Sequence, residues 1–166
     1  MKRTITIFCL AVVTFYTASA QYAQPKISDS LPRVFELNNF DEIAFEKIKV
    51  EYEMTLLTAS KNDAETAYYC WIHLLKHLET FSQKRNIDLN GVKLWMYVFW
   101  QKDGTIDHVG YFLKPHSKNI ETEVIKALLS NFCDEYKFPL KADKNFSNYN
   151  SANFPVNVEK TLPENK

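Results

Sequence analysis

Glycine is scarce: three residues in 166, where an average chain carries roughly 7%. Glycines so few and so dispersed exclude a phosphate-cradling loop. Three cysteines are too few for a disulfide-built scaffold. Twenty basic residues against twenty acidic ones leave no net charge, which argues against the basic surface that a nucleic-acid binder needs. No HExxH, GxSxG or paired-carboxylate arrangement is found, so protease and glycosidase readings have no residues to rest on. What the chain has in quantity is aromatic: nine Tyr, twelve Phe and three Trp. A disordered or low-complexity segment does not carry that many, and the length suits one globular domain with a buried core.

Residues 1–20 (MKRTITIFCLAVVTFYTASA) have the layout of a secretory signal peptide. Lys2 and Arg3 form a positive start, Thr4 to Thr17 is mostly apolar, and Ala18-Ser19-Ala20 supplies the small-x-small site a signal peptidase reads. The apolar stretch is short for a bilayer span, so no membrane insertion is expected once it is cleaved. Cys9 lies well before the cleavage site and lacks the surroundings that lipid attachment needs. The address expected is export, to the periplasm or the cell surface. Lys2 and Arg3 are the only charges removed, so the mature chain has two more acidic than basic residues.

Residues 21–39 read as a flexible leader, 40–158 as one domain and 159–166 as a disordered tail. The stretch 40–59 carries two conflicting signals. Ile48, Val50, Tyr52, Met54 and Leu56 alternate with polar residues as in a strand. At helical spacing, Phe45, Ile48, Tyr52, Leu56 and Ala59 form one stripe, and Ile43, Val50, Met54 and Leu57 form a nearly opposite one. Twenty residues without Gly or Pro favour a helix on length. A second helix is expected over 63–85, capped by Asn62 or Asp63, with Trp71, Leu74, Leu75 and Leu78 on its apolar stripe. Asp103-Gly104 between two apolar runs predicts a hairpin. A two-residue loop would set Val98 against Val109, Met96 against Tyr111 and Leu94 against Leu113. On the other face it sets Phe99 against His108, Tyr97 against Gly110 and Trp95 against Phe112. A last helix is expected over about 120–136, capped by Ser117 or Asn119. A final edge strand near 152–158 should follow, because Pro155 cannot donate to a ladder. The fold class expected is α+β: a small antiparallel sheet, hairpin plus C-terminal edge strand, packed by about three helices.

Gly91 entering the first hairpin strand, the Asp103-Gly104 turn, the polar cap before the last helix, the Phe138-Pro139 exit and the closing Phe154-Pro155-Val156 together resemble the C-terminal domain of the energy transducer TonB and its exported relatives, over residues 91–158. The chain from about residue 40 also resembles exported bacterial proteins of unknown function. The resemblance implies the hairpin–helix–strand order. It does not extend to energy transduction, because the chain departs from the force-transmitting pattern of membrane anchor and Pro-rich spacer, and 40–85 read as added helices.

The candidate binding surface is the aromatic face Trp95, Tyr97, Phe99 and Phe112, with His108 at its end. Aromatics on a rigid strand can stack on a sugar or a peptide, or form an interface hot spot. The competing reading is that a helix covers them. His73 and His77 stand four apart, a spacing that suits one metal ion. Lys84 shares their face and no carboxylate does, so solvated histidines are the better reading and no metal or other cofactor is expected. Cys70 and Cys133 with His108 or His116 would make a nucleophilic pair only in an accessible, electropositive niche. Both cysteines border core stripes instead, and sequence does not decide whether they pair in a disulfide. The function expected is a non-enzymatic binding or accessory module of the cell envelope, acting through a sheet edge or the aromatic face. Its partner would be an envelope protein, a peptide or a second copy of the chain. The alternative is a small exported hydrolase or ligand carrier built from scattered polar residues. The intact mass of the exported chain should correspond to residues 21–166; an unprocessed mass would refute cleavage after Ala20.

Overall fold

The computed structural model describes residues 31–157. The signal-like segment, the first part of the leader and the tail 159–166 lie outside the described residues. The elements in chain order are β1 (Val34–Glu36), α1 (Glu42–Glu51), β2 (Met54–Thr55), α2 (Leu56–Ala59), α3 (Ala64–Gln83), β3 (Lys93–Trp100), β4 (Ile106–Leu113), α4 (Thr122–Glu135) and β5 (Phe146–Asn153). They build one five-stranded sheet in the order β1-β4-β3-β5-β2. The α+β class stands. The sheet is mixed, however, and not small and antiparallel: β1 runs parallel to β4, and β2 parallel to β5.

The hairpin register is the one the alternation dictates, from Leu94 opposite Leu113 to Phe99 opposite His108. The loop differs. An irregularity between Phe99 and Trp100 moves Trp100 opposite Ile106, so residues 101–105 make the connection instead of two residues. Gly104 holds φ +89°, and a Cβ there would sit 2.2 Å from the Phe138 carbonyl oxygen. That carbonyl belongs to the exit from α4, and the Phe138 N–H donates back to the Gly104 carbonyl. The ion pair Lys137–Asp103 closes the same junction.

On one face of the sheet, Leu94, Met96 and Val98 with Val109 and Tyr111 meet Trp71, Leu74, Leu75 and Leu78 of α3 and Ile125, Leu128, Leu129 and Phe132 of α4. Asp63 caps α3 as expected, accepting from the Glu65 and Thr66 N–H groups. The cap expected for α4 is absent. Glu121 occupies the position without a side-chain bond, and the Ser117 hydroxyl instead accepts from the Lys93 N–H.

On the opposite face a second apolar cluster joins Leu31, Phe35, Ala44, Ile48, Tyr52 and Phe99. Two expectations change here. The end of the supposed leader belongs to the fold, because β1 pairs with β4 and Phe35 is buried. Gly110 provides the space: a Cβ there would lie 2.6 Å from Leu37 and 2.9 Å from Phe35. Residues 40–59 are not one helix. The chain leaves α1 at Tyr52, whose ring packs edge-on against Phe99 and whose hydroxyl donates to Asp107. The Ser147 hydroxyl then donates to the Tyr52 carbonyl, and Met54–Thr55 pair with β5. Strand alternation is thus realised only where β5 offers a partner. The second apolar stripe stays largely in water, with Ile43 and Val50 both exposed.

The final strand also moves. β5 covers 146–153, earlier than expected, and lies between β3 and β2, not at the edge. Its sequence, FSNYNSAN, lacks apolar alternation. Eight consecutive pairings with β3, from Lys93–Asn153 to Trp100–Phe146, hold it in place. Pro155 falls just beyond it. Gly104→Ala should lower the stability by about 2 kcal/mol or more, through positive-φ strain and the Phe138 clash. A urea midpoint unchanged from the parent protein would refute that account.

Candidate functional site

Alternation puts Trp95, Tyr97 and Phe99 on the face of β3 that turns away from α3 and α4. Their cross-strand neighbours are Phe112, Gly110 and His108 on β4, and Ser151, Tyr149 and Ser147 on β5. The structure divides this face in two. At one end Phe99 is completely buried, with Phe45 and Tyr52 packed edge-on against it. Its burial is worth about 2 kcal/mol. His108 belongs to that covered end, half-buried, with Nδ1 3.1 Å from the Pro32 carbonyl. Tyr97 is half-buried and stacks on Phe99 at 4.4 Å between centroids. At the other end Trp95 is 37%, Phe112 38% and Tyr149 54% exposed. The reading that a helix covers the aromatics therefore holds for Phe99, and the open-face reading for Trp95 and Phe112.

Two members of the open patch were not singled out in the sequence. Tyr149 is the one large side chain in the polar run of β5, a signal that becomes legible once that run is known to be a strand. Its ring stacks on Trp95 at 5.5 Å and 21°. Lys114 follows β4, and its Nζ lies 4.1 Å from the centroid of the Trp95 ring, a cation–π contact. The same ammonium donates to the Ser151 hydroxyl and to Asn153 Oδ1. Lys114 comes from the Lys93–Asn153 row and Tyr149 from the Tyr97 row, the rows on either side of Trp95.

The sheet edge next to this patch is partly blocked. β2 covers β5 only at Phe146–Ser147. Beyond it, the Trp71 indole N–H donates to the Ser151 carbonyl at 3.0 Å, and the Ser151 N–H donates to Asn150 Oδ1 at 2.7 Å. Side chains thus occupy both backbone groups of Ser151, which an added strand would need.

The catalytic candidates do not assemble. His73 and His77 have ring centroids 4.4 Å apart. His73 is half-buried with a buried, unpartnered Nδ1, contrary to the solvated reading, and His77 is the more exposed of the two. Partial burial and the neighbouring His73 and Lys84 push the His77 pKa down. Among the described residues no group of three or more His, Cys, Asp or Glu is arranged to hold a metal ion. Cys70 and Cys133 are both free thiols. Burial raises the pKa of each, that of Cys133 to about 12. A cleft of about 350 Å³ between α3 and the end of β5 is lined by Tyr68, Trp71, Ile72, Asn150 and Pro155 among others, with no carboxylate or imidazole.

No protein-family model matches the chain, nor does any curated protein or solved structure.

Because the thiolate is the reactive form, raised pKa values predict slow alkylation. At pH 8, iodoacetamide should modify Cys70 slowly and Cys133 only after denaturation. Rapid labelling of either thiol in the folded protein would reopen the nucleophile reading.

Proposed function

We propose that the protein is an exported, non-enzymatic binding module of the bacterial cell envelope that docks a partner polypeptide on the open half of its aromatic face. The observation that carries this reading is the exposure of Trp95, Phe112 and Tyr149 side by side on three adjacent strands. Large aromatics left in contiguous exposure mark interaction surfaces, and Trp and Tyr dominate interface hot spots. The patch is also rigid. β3 is paired on both sides, so its side chains lose little further freedom on binding. The export component rests on residues 1–20, and the envelope component on the TonB-like elements. Blocking of the β5 edge at Ser151 favours the face over strand addition.

Two measurements test the reading. Trp71 and Trp100 are buried, so acrylamide should quench one indole, and Trp95→Phe should abolish that component. Quenching that grows on dilution would identify a homodimer seated on the patch. A photo-crosslinking residue in place of Tyr149, in the exported chain in its own cells, should yield a discrete adduct that disappears with Trp95→Ala. No adduct, or one indifferent to Trp95, would defeat the proposal.

A further inference from the structure

We infer that the partner segment is an acidic peptide, with carboxylates held by Lys93 and Lys114 and apolar side chains laid across Phe112, Trp95 and Tyr149. This rests on the docking reading above and adds the chemistry of the partner.

The first argument is charge. Lys93 and Lys114 are neighbours across the β3–β4 ladder, where the Lys114 N–H donates to the Lys93 carbonyl. Among the described residues neither ammonium has a carboxylate within ion-pair distance, although Lys118, a few residues on, is paired with Asp88. Lys114 is held in place by neutral oxygens of Ser151 and Asn153 and by the Trp95 ring. Partial burial and the charge of Lys93 lower its proton affinity. An arriving carboxylate would offset the repulsion between the two ammonium groups, and it would meet an ammonium already positioned, so little side-chain entropy is lost.

The second argument is the orientation of the rings. An aromatic ring is negative on its faces and positive along its edge. The Lys114 ammonium lies 4.1 Å from the centroid of the Trp95 ring, and the Tyr149 ring stacks on the same indole at 5.5 Å. Two ammonium groups therefore stand beside exposed aromatic rings, and a negatively charged partner complements them. A peptide supplies both parts of the match, carboxylates for the two lysines and apolar side chains for Phe112, Trp95 and Tyr149.

A random peptide library displayed against the mature chain tests this, with bound sequences read out and single peptides titrated by Trp95 fluorescence. The expected result is enrichment of Asp or Glu beside apolar residues. Affinity should fall about tenfold in Lys114→Glu and in Lys93→Glu, and should weaken as salt rises. Lys114→Gln serves if the reversal perturbs folding, as checked by circular dichroism. Peptides that are lost with Tyr149→Ala but carry no acidic residues would overturn the acidic assignment and leave the docking surface intact. No enrichment, or enrichment indifferent to both Trp95→Ala and Tyr149→Ala, would remove the docking reading and this inference together. An acidic polysaccharide that competes off the selected peptides with higher affinity would overturn the choice of peptide.

Discussion

β3 is the constraint on which the rest depends. It is hydrogen-bonded on both sides, to β4 and to β5, and it is apolar on both faces. A strand of that kind needs cover above and below. α3 and α4 supply it completely on one face, where Leu94, Met96 and Val98 are buried. On the other face α1 and the β1 segment reach only as far as Phe99 and part of Tyr97. The open patch is the part of β3 that this second cover does not reach.

The uncovered aromatics are not simply left over. Trp95 is held between an ammonium and a phenol, and Lys114 is bound across β3 to Ser151 and Asn153 on β5. These contacts order the patch in the free protein. Among the described residues the thiols have raised pKa values, the histidine pair lacks a third ligand, and the cleft beside β5 has no carboxylate or imidazole in its lining.

Second-face packing also explains features that looked incidental. Gly110 sits opposite Tyr97, and the space above it is filled by Phe35 and Leu37. A side chain at position 110 would displace β1, and with it part of the cover on Phe99. Tyr52 works similarly. Its ring against Phe99 and its hydroxyl on Asp107 end α1 and direct the chain to β2.

Local pattern alone determined the hairpin register, α3 with a cap at Asn62 or Asp63, the helix near α4 and the face on which Trp95, Tyr97, Phe99 and Phe112 lie. Each follows from a period of 2.0 or 3.6 between near neighbours, which sequence displays directly. Tertiary structure decided the break at Tyr52, the β1 strand in the supposed leader, the interior position of β5 and the split of the aromatic face. The physical reason is shared. β1 and β2 are three and two residues long, too short to show a period, and β5 is polar along most of its length. These segments become strands only because β4 and β3 offer distant hydrogen-bonding partners. Which aromatics remain in water, and that Lys114 and Tyr149 join Trp95, likewise depends on strands brought together from sequence-distant positions.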